Sequence, residues 1–91
     1  MPSISLPEVL DRTTVPAVSA AILAGRQSDL TIEAGNVRRV SGLGVEMLLS
    51  ARRQWVEDGQ SLMLGSISDT FAEALEQLGL APEMLSTEVA A

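Results

Sequence analysis

The sequence contains no histidine, no cysteine, no tyrosine and no lysine, and one tryptophan and one phenylalanine make up its aromatic content. Each absence removes a chemistry. Without histidine or cysteine there is no Ser–His or Cys–His nucleophile pair, no thiolate and no ordinary zinc site. Without lysine there is neither the lysine of a phosphate-binding P-loop nor a Schiff base. Twelve carboxylates remain, scattered along the chain. An enzyme is therefore not expected, nor is a cofactor or a metal. No run approaches about eighteen apolar residues, and the opening MPSISLPEVLD has neither a basic start nor a continuous apolar stretch. That pattern argues for a cytoplasmic protein with no direct membrane insertion. Positive charge is scarce too: six arginines against twelve acids leave a net charge of −6. Nucleic acid and anionic lipid are thus poor partners, and proteins better ones.

What is present is 91 residues, 46% of them hydrophobic, enough for one small domain with a core of Leu, Val, Ile, Ala and Met. SISL, residues 3–6, alternates like a short half-buried strand that Pro7 places at an edge or ends. A helix follows from a Thr13 or Thr14 cap, with Pro16 in its first turn, Val18, Ala21 and Ile22 on one stripe, and Gly25 at its close. LTIEA, residues 30–34, alternates again, with Leu30, Ile32 and Ala34 on one side. From about Gly42 the period becomes helical: Gly44, Leu48, Ala51 and Trp55 form one line, Val45, Leu49 and Val56 its neighbour, and Gly59 the stop. On the opposite face Arg53 and Glu57 are spaced to pair. SLMLG, residues 61–65, reads as a strand covered on both faces or a central one. A capping box of Ser66 with Asp69 then opens a third helix striped by Phe71, Ala74, Leu75 and Leu78 and stopped by Gly79. The core spans about 4–80, and the tail over 81–91 has room for one turn from Pro82.

Strand, helix, strand, helix, strand, helix implies an α/β fold with a largely parallel sheet. With so few strands, one face stays partly open or is covered by a partner, and an open apolar face would be adhesive. The free edge near Ile4 adds a second copy of the chain to the partners considered, as a homodimer.

The stretch NVRRVSGLGVEMLL, residues 36–49, sits where an open α/β sheet presents its function, between a strand end and a helix start. Two readings are open. Free N–H groups near Gly42 and the positive end of the helix dipole suit a phosphate or carboxylate. In the other, Ser41 is a plain N-cap and the glycines let the helix pack closely, which is how such caps ordinarily behave. The isolated G-x-G lacks the rest of a nucleotide fingerprint. Arg38 and Arg39 make a basic ridge beside that helix start, either facing a partner's acids or simply solvated.

Taken with its order and spacing, the chain resembles a STAS domain, the module of anti-sigma-factor antagonists and of the cytoplasmic ends of sulfate transporters. The resemblance covers roughly residues 4–80 and rests on SGLGV after an apolar strand and on the ending GQSLMLGSISDTFAEALEQLGL. It implies a small, mostly parallel sheet of about four strands with helices packed on one side, and a stand-alone bacterial form that binds proteins rather than catalysing. In the family's antagonists, Asp-Ser-Ser-Gly begins the second helix, and a GHKL-type kinase phosphorylates the first serine. Aligned on SGLGV, Arg39 stands at the aspartate, Val40 at the acceptor and Ser41 at the second serine, so the usual switch is lost unless Ser41 takes the phosphate. The resemblance thus implies a contact loop of Arg38, Arg39, Val40, Ser41 and Gly42, extended by Leu43 and Glu46. Short STAS proteins without the acceptor resemble a subset tied to bacterial chemotaxis clusters, which bind a histidine kinase. The alternative is the STAS subunit of a Mla-type phospholipid transport ATPase, whose ending is echoed by LAPEML.

Overall fold

The computed structural model describes residues 2–87. In chain order its elements are β1 (Ser3–Ser5), β2 (Val9–Leu10), α1 (Val15–Ala24), β3 (Leu30–Ala34), β4 (Arg39–Val40), α2 (Gly42–Asp58), β5 (Leu62–Ile67), α3 (Asp69–Gln77) and a 3-10 turn at Pro82–Leu85. β1, β3 and β5 form a parallel sheet with β3 in the centre, while β2 and β4 pair as a separate parallel ribbon. Instead of one sheet of about four strands there are thus a three-stranded sheet and a two-stranded one.

The alternation of β3 decides which face is covered. Leu30, Ile32 and Ala34 are buried and in register with Ile4 on one side and with Leu62, Leu64 and Ile67 on the other. These rows join Val18 and Ile22 of α1, Val45, Leu48 and Trp55 of α2, and Phe71 and Leu75 of α3 in one core. All three helices therefore lie on one side of the sheet. The other side presents Ser3, Ser5, Thr31, Glu33 and Ser66 beside Met63, so the open face is polar rather than adhesive.

Helix ends follow local chemistry. The Ser41 hydroxyl accepts from the Gly44 N–H at 3.3 Å, and α2 stops at Gly59, whose φ of 71° is the left-handed conformation glycine adopts without cost. Thr14 occupies the N-cap position of α1 but does not cap it: its hydroxyl donates to the Val9 carbonyl at 2.8 Å and accepts from the Asp11 N–H at 3.0 Å. α3 is capped by Ser68, not Ser66, because β5 runs on to Ile67 through a bulge that sets both Gly65 and Ser66 against Glu33. There the Glu33 carboxylate accepts from the Ser66 N–H at 2.9 Å and from its hydroxyl at 2.6 Å. Those two bonds, the hydroxyl first, hold the Glu33 pKa below its usual value.

Other expectations are corrected by packing. β5 is an edge strand, not a central one; its outer side is closed by the chain itself. The Thr87 N–H donates to the Leu62 carbonyl at 2.8 Å, and the hydroxyls of Thr87 and Ser86 accept from the N–H groups of Leu62 and Leu64 at 2.8 and 3.1 Å. Leu85, at 3% exposure, belongs to the core, so the segment after Leu80 packs as more than a tail. Ala21 faces solvent instead of joining the α1 stripe. Val56 and Leu78 are 51% and 53% exposed rather than buried. Arg53 and Glu57 form no ion pair among the described residues; the bridge at this end of α2 is Arg26 to Asp58, at 2.8 Å. No described helix is long and apolar enough to cross a membrane.

Candidate functional site

The predicted contact loop is held between the main sheet and α2 by backbone bonds that no local pattern announces. Both Arg38 and Arg39 donate their N–H groups to the Glu8 carbonyl, at 2.7 and 3.0 Å, and the Ser41 N–H donates to the Leu10 carbonyl at 2.9 Å. This draws residues 39–40 alongside residues 9–10 as β4 on β2, so the middle of the expected loop is a short strand. Val37, buried below, accepts the Ser68 hydroxyl at 2.6 Å on its carbonyl. The segment is thereby fastened to β2 and to the start of α3.

On this frame the side chains divide. Arg38 and Arg39 are exposed, whereas Val40 is half-buried and packs against the core. The Arg38 Nε lies 3.6 Å from the Glu8 carboxylate with both groups largely in water, an arrangement worth little. Arg39 has no ion pair among the described residues. Its charge is the smallest of the influences that lower the Asp11 pKa, after the hydroxyl and N–H of Thr13 and the N–H of Thr14, with partial burial opposing them.

The two glycines of SGLGV do different work. A Cβ on Gly44 would lie 2.8 Å from the Leu10 Cγ and 3.1 Å from the Leu10 carbonyl oxygen, so Gly44 lets α2 press on β2. Nothing lies within 4 Å of a Cβ on Gly42. Close packing therefore explains the second glycine only. Leu43 is 46% exposed, and Glu46, one turn on, is exposed too. The first turn of α2 contains no acid, so the dipole's positive end is not neutralised within its own helix.

Of the predicted residues Arg38, Arg39, Gly42, Leu43 and Glu46 are exposed, whereas Val40 turns inward and the Ser41 hydroxyl caps. Sequence reasoning missed Glu8, Leu10 and Ser68, which anchor the segment through backbone groups or a second cap. A two-residue strand after Pro7 has no periodicity to read, and Ser66 offered a cap two residues early. Among the described residues no three or more His, Cys, Asp or Glu side chains converge as metal ligands would.

Compared with known protein families, residues 1–86 match a family model described as "Mlab, STAS domain". No curated protein matches the sequence.

Proposed function

The chain belongs to the STAS domain family, and from that premise we propose that it is a non-enzymatic, cytoplasmic regulatory module that docks a partner protein at the start of α2. The docking surface is Arg38, Arg39, Gly42, Leu43 and Glu46, with Val40 and Ser41 shaping it from beneath. The observation that carries this reading is the open helix start. Two exposed arginines adjoin a helix N-terminus with no acid of its own, on a chain of net charge −6. An acidic patch on a partner complements that surface, and opposite charges there favour fast, oriented association.

The partner we favour is a kinase of bacterial signal transduction, of the chemotaxis histidine-kinase or anti-sigma GHKL type. Val40 has no hydroxyl to phosphorylate, and Ser41 already uses its own as the α2 cap. Binding in this reading is constitutive rather than phospho-switched. A second reading, as the STAS subunit of a Mla-type phospholipid transport ATPase, is favoured by the description of the matching family model and by the packed ending around Leu85.

Affinity capture of the tagged protein from its host, followed by titration against the recovered partner, tests both readings. Recovery of a kinase supports the first, and recovery of a transport ATPase the second. With either partner, Arg39→Asp should weaken binding at least about tenfold, or about 1.4 kcal/mol, with unchanged thermal unfolding. Unchanged affinity would move the interface elsewhere. Leu48→Ala is the scaffold control: it truncates a buried side chain and should cost about 2–4 kcal/mol of stability.

A further inference from the structure

The two edges of the main sheet are finished differently. At β5 the chain lays its own Ser86 and Thr87 along the strand. At β1 no described segment lies outside the strand, and the sheet ends there. The Thr31 N–H donates to the Pro2 carbonyl at 3.0 Å and the Leu6 N–H to the Glu33 carbonyl at 2.8 Å, so residues of even number in β1 bond to β3. In a parallel ladder the N–H and C=O groups of Ser3 and Ser5 then face outward. Among the described residues this edge has no charge, no bulge and no covering loop; its protection is limited to the shortness of the strand and the flanking Pro2 and Pro7.

Beside the edge, where α1 overhangs β1, runs an open groove of about 360 Å³ whose walls include Ile4, Pro7, Ala17, Val18 and Ala21. The sequence has no ionisable side chain before Glu8 and none between Arg12 and Arg26. Edge, groove and outer face of α1 therefore form one surface without charged side chains. At its ends stand Asp11 with Arg12, and Arg26 paired to Asp58.

We propose that this surface is a two-fold interface with a second copy of the same chain. Antiparallel pairing of β1 with β1 extends the sheet to six strands, ordered β5-β3-β1-β1-β3-β5, and runs the two α1 helices antiparallel above the join. Charge selects this occupant. Two chains of net charge −6 repel wherever their acidic surfaces meet, and here they meet without charge. At each end of α1 the two-fold sets Asp11 and Arg12 of one copy against Arg26 and Asp58 of the other, with both signs on each side. Such a contact is self-complementary and closes at two copies. It shares no residue with the partner-docking surface and does not depend on it.

Sedimentation of the whole chain from about 10 μM to about 1 mM tests the interface. The wild type should dimerise within that range. Ala21→Glu sets like charges across the axis, and Ser5→Pro removes an outward N–H while sparing the β3 ladder; each should weaken dimerisation at least about tenfold. Gln77→Glu adds the same charge on exposed α3 and should leave dimerisation unchanged. Circular dichroism of each variant should match the wild type. A wild type that stays monomeric throughout overturns the proposal and leaves the edge to an extended segment of another protein. Dimers that survive both Ala21→Glu and Ser5→Pro overturn it as well.

Discussion

α2 and α3 both start on a serine cap, yet their surroundings differ. Ser68 accepts from the Phe71 N–H at 3.1 Å, gives its hydroxyl to the Val37 carbonyl at 2.6 Å and its N–H to the Ala34 carbonyl at 3.1 Å, and Asp69 adds a carboxylate in the first turn. Ser41 makes the same kind of cap at 3.3 Å and is tied to β2 through its N–H, but exposed Gly42 and Leu43 follow it and two exposed arginines lie just upstream. One junction closes the fold on itself. The other keeps its positive end turned outward. In the function we propose, the second junction docks the partner because the fold secures its backbone without neutralising its charge.

The sharpest way to break this comparison is at the α2 glycines. Leu10 is fully buried and cannot step aside, so Gly44→Ala should lose about 1–3 kcal/mol in urea unfolding. Gly42→Ala meets nothing, and should be neutral or stabilising by up to about 1 kcal/mol. Equal costs would mean that the approach of α2 to β2 is not what Gly44 serves.

The caps themselves come next. Ser68→Ala removes a cap and a second hydrogen bond and should cost about 2 kcal/mol, whereas Ser41→Ala removes a cap alone and should cost about 1 kcal/mol. A larger loss at Ser41 would invert the assignment of scaffold and surface.

The smallest effect is a pH dependence at the bulge that precedes α3. Because Ser66 lowers the Glu33 pKa in the folded state, this contribution is fully present above the unfolded carboxylate value. It is lost as pH falls through the folded one. Ser66→Ala should therefore be less stable than wild type at neutral pH, and the gap should narrow as the pH falls through the folded-state value. A gap independent of pH would show that the Glu33 contact contributes nothing through its charge.

Much of this architecture is legible in the residues. The β3 alternation names its buried face, Gly59 and Gly79 mark left-handed helix stops, and Ser41 marks the α2 cap. The candidate surface was legible only as a composition, two arginines before SGLGV. That Arg39 is exposed while Val40 packs inward follows from their pairing with Val9 and Leu10, residues about thirty positions upstream, and no window around residue 39 contains that information. Ser66 and Ser68 are equally good caps by composition. The bulge opposite Glu33 decides between them.

The sequence by itself determined the chemical limits of this protein, the order of its three main-sheet strands and three helices and its acidic character, because those depend on residue type and on neighbours within a turn or a strand. Only the tertiary structure decided that β5 is an edge closed by Ser86 and Thr87, that one glycine of the pair packs while the other stays open, and that the uncovered face is polar. Each of those outcomes depends on backbone groups brought together from distant parts of the chain. Hydrogen-bond satisfaction and close packing are settled at such meetings, and residue identity alone does not say where they occur.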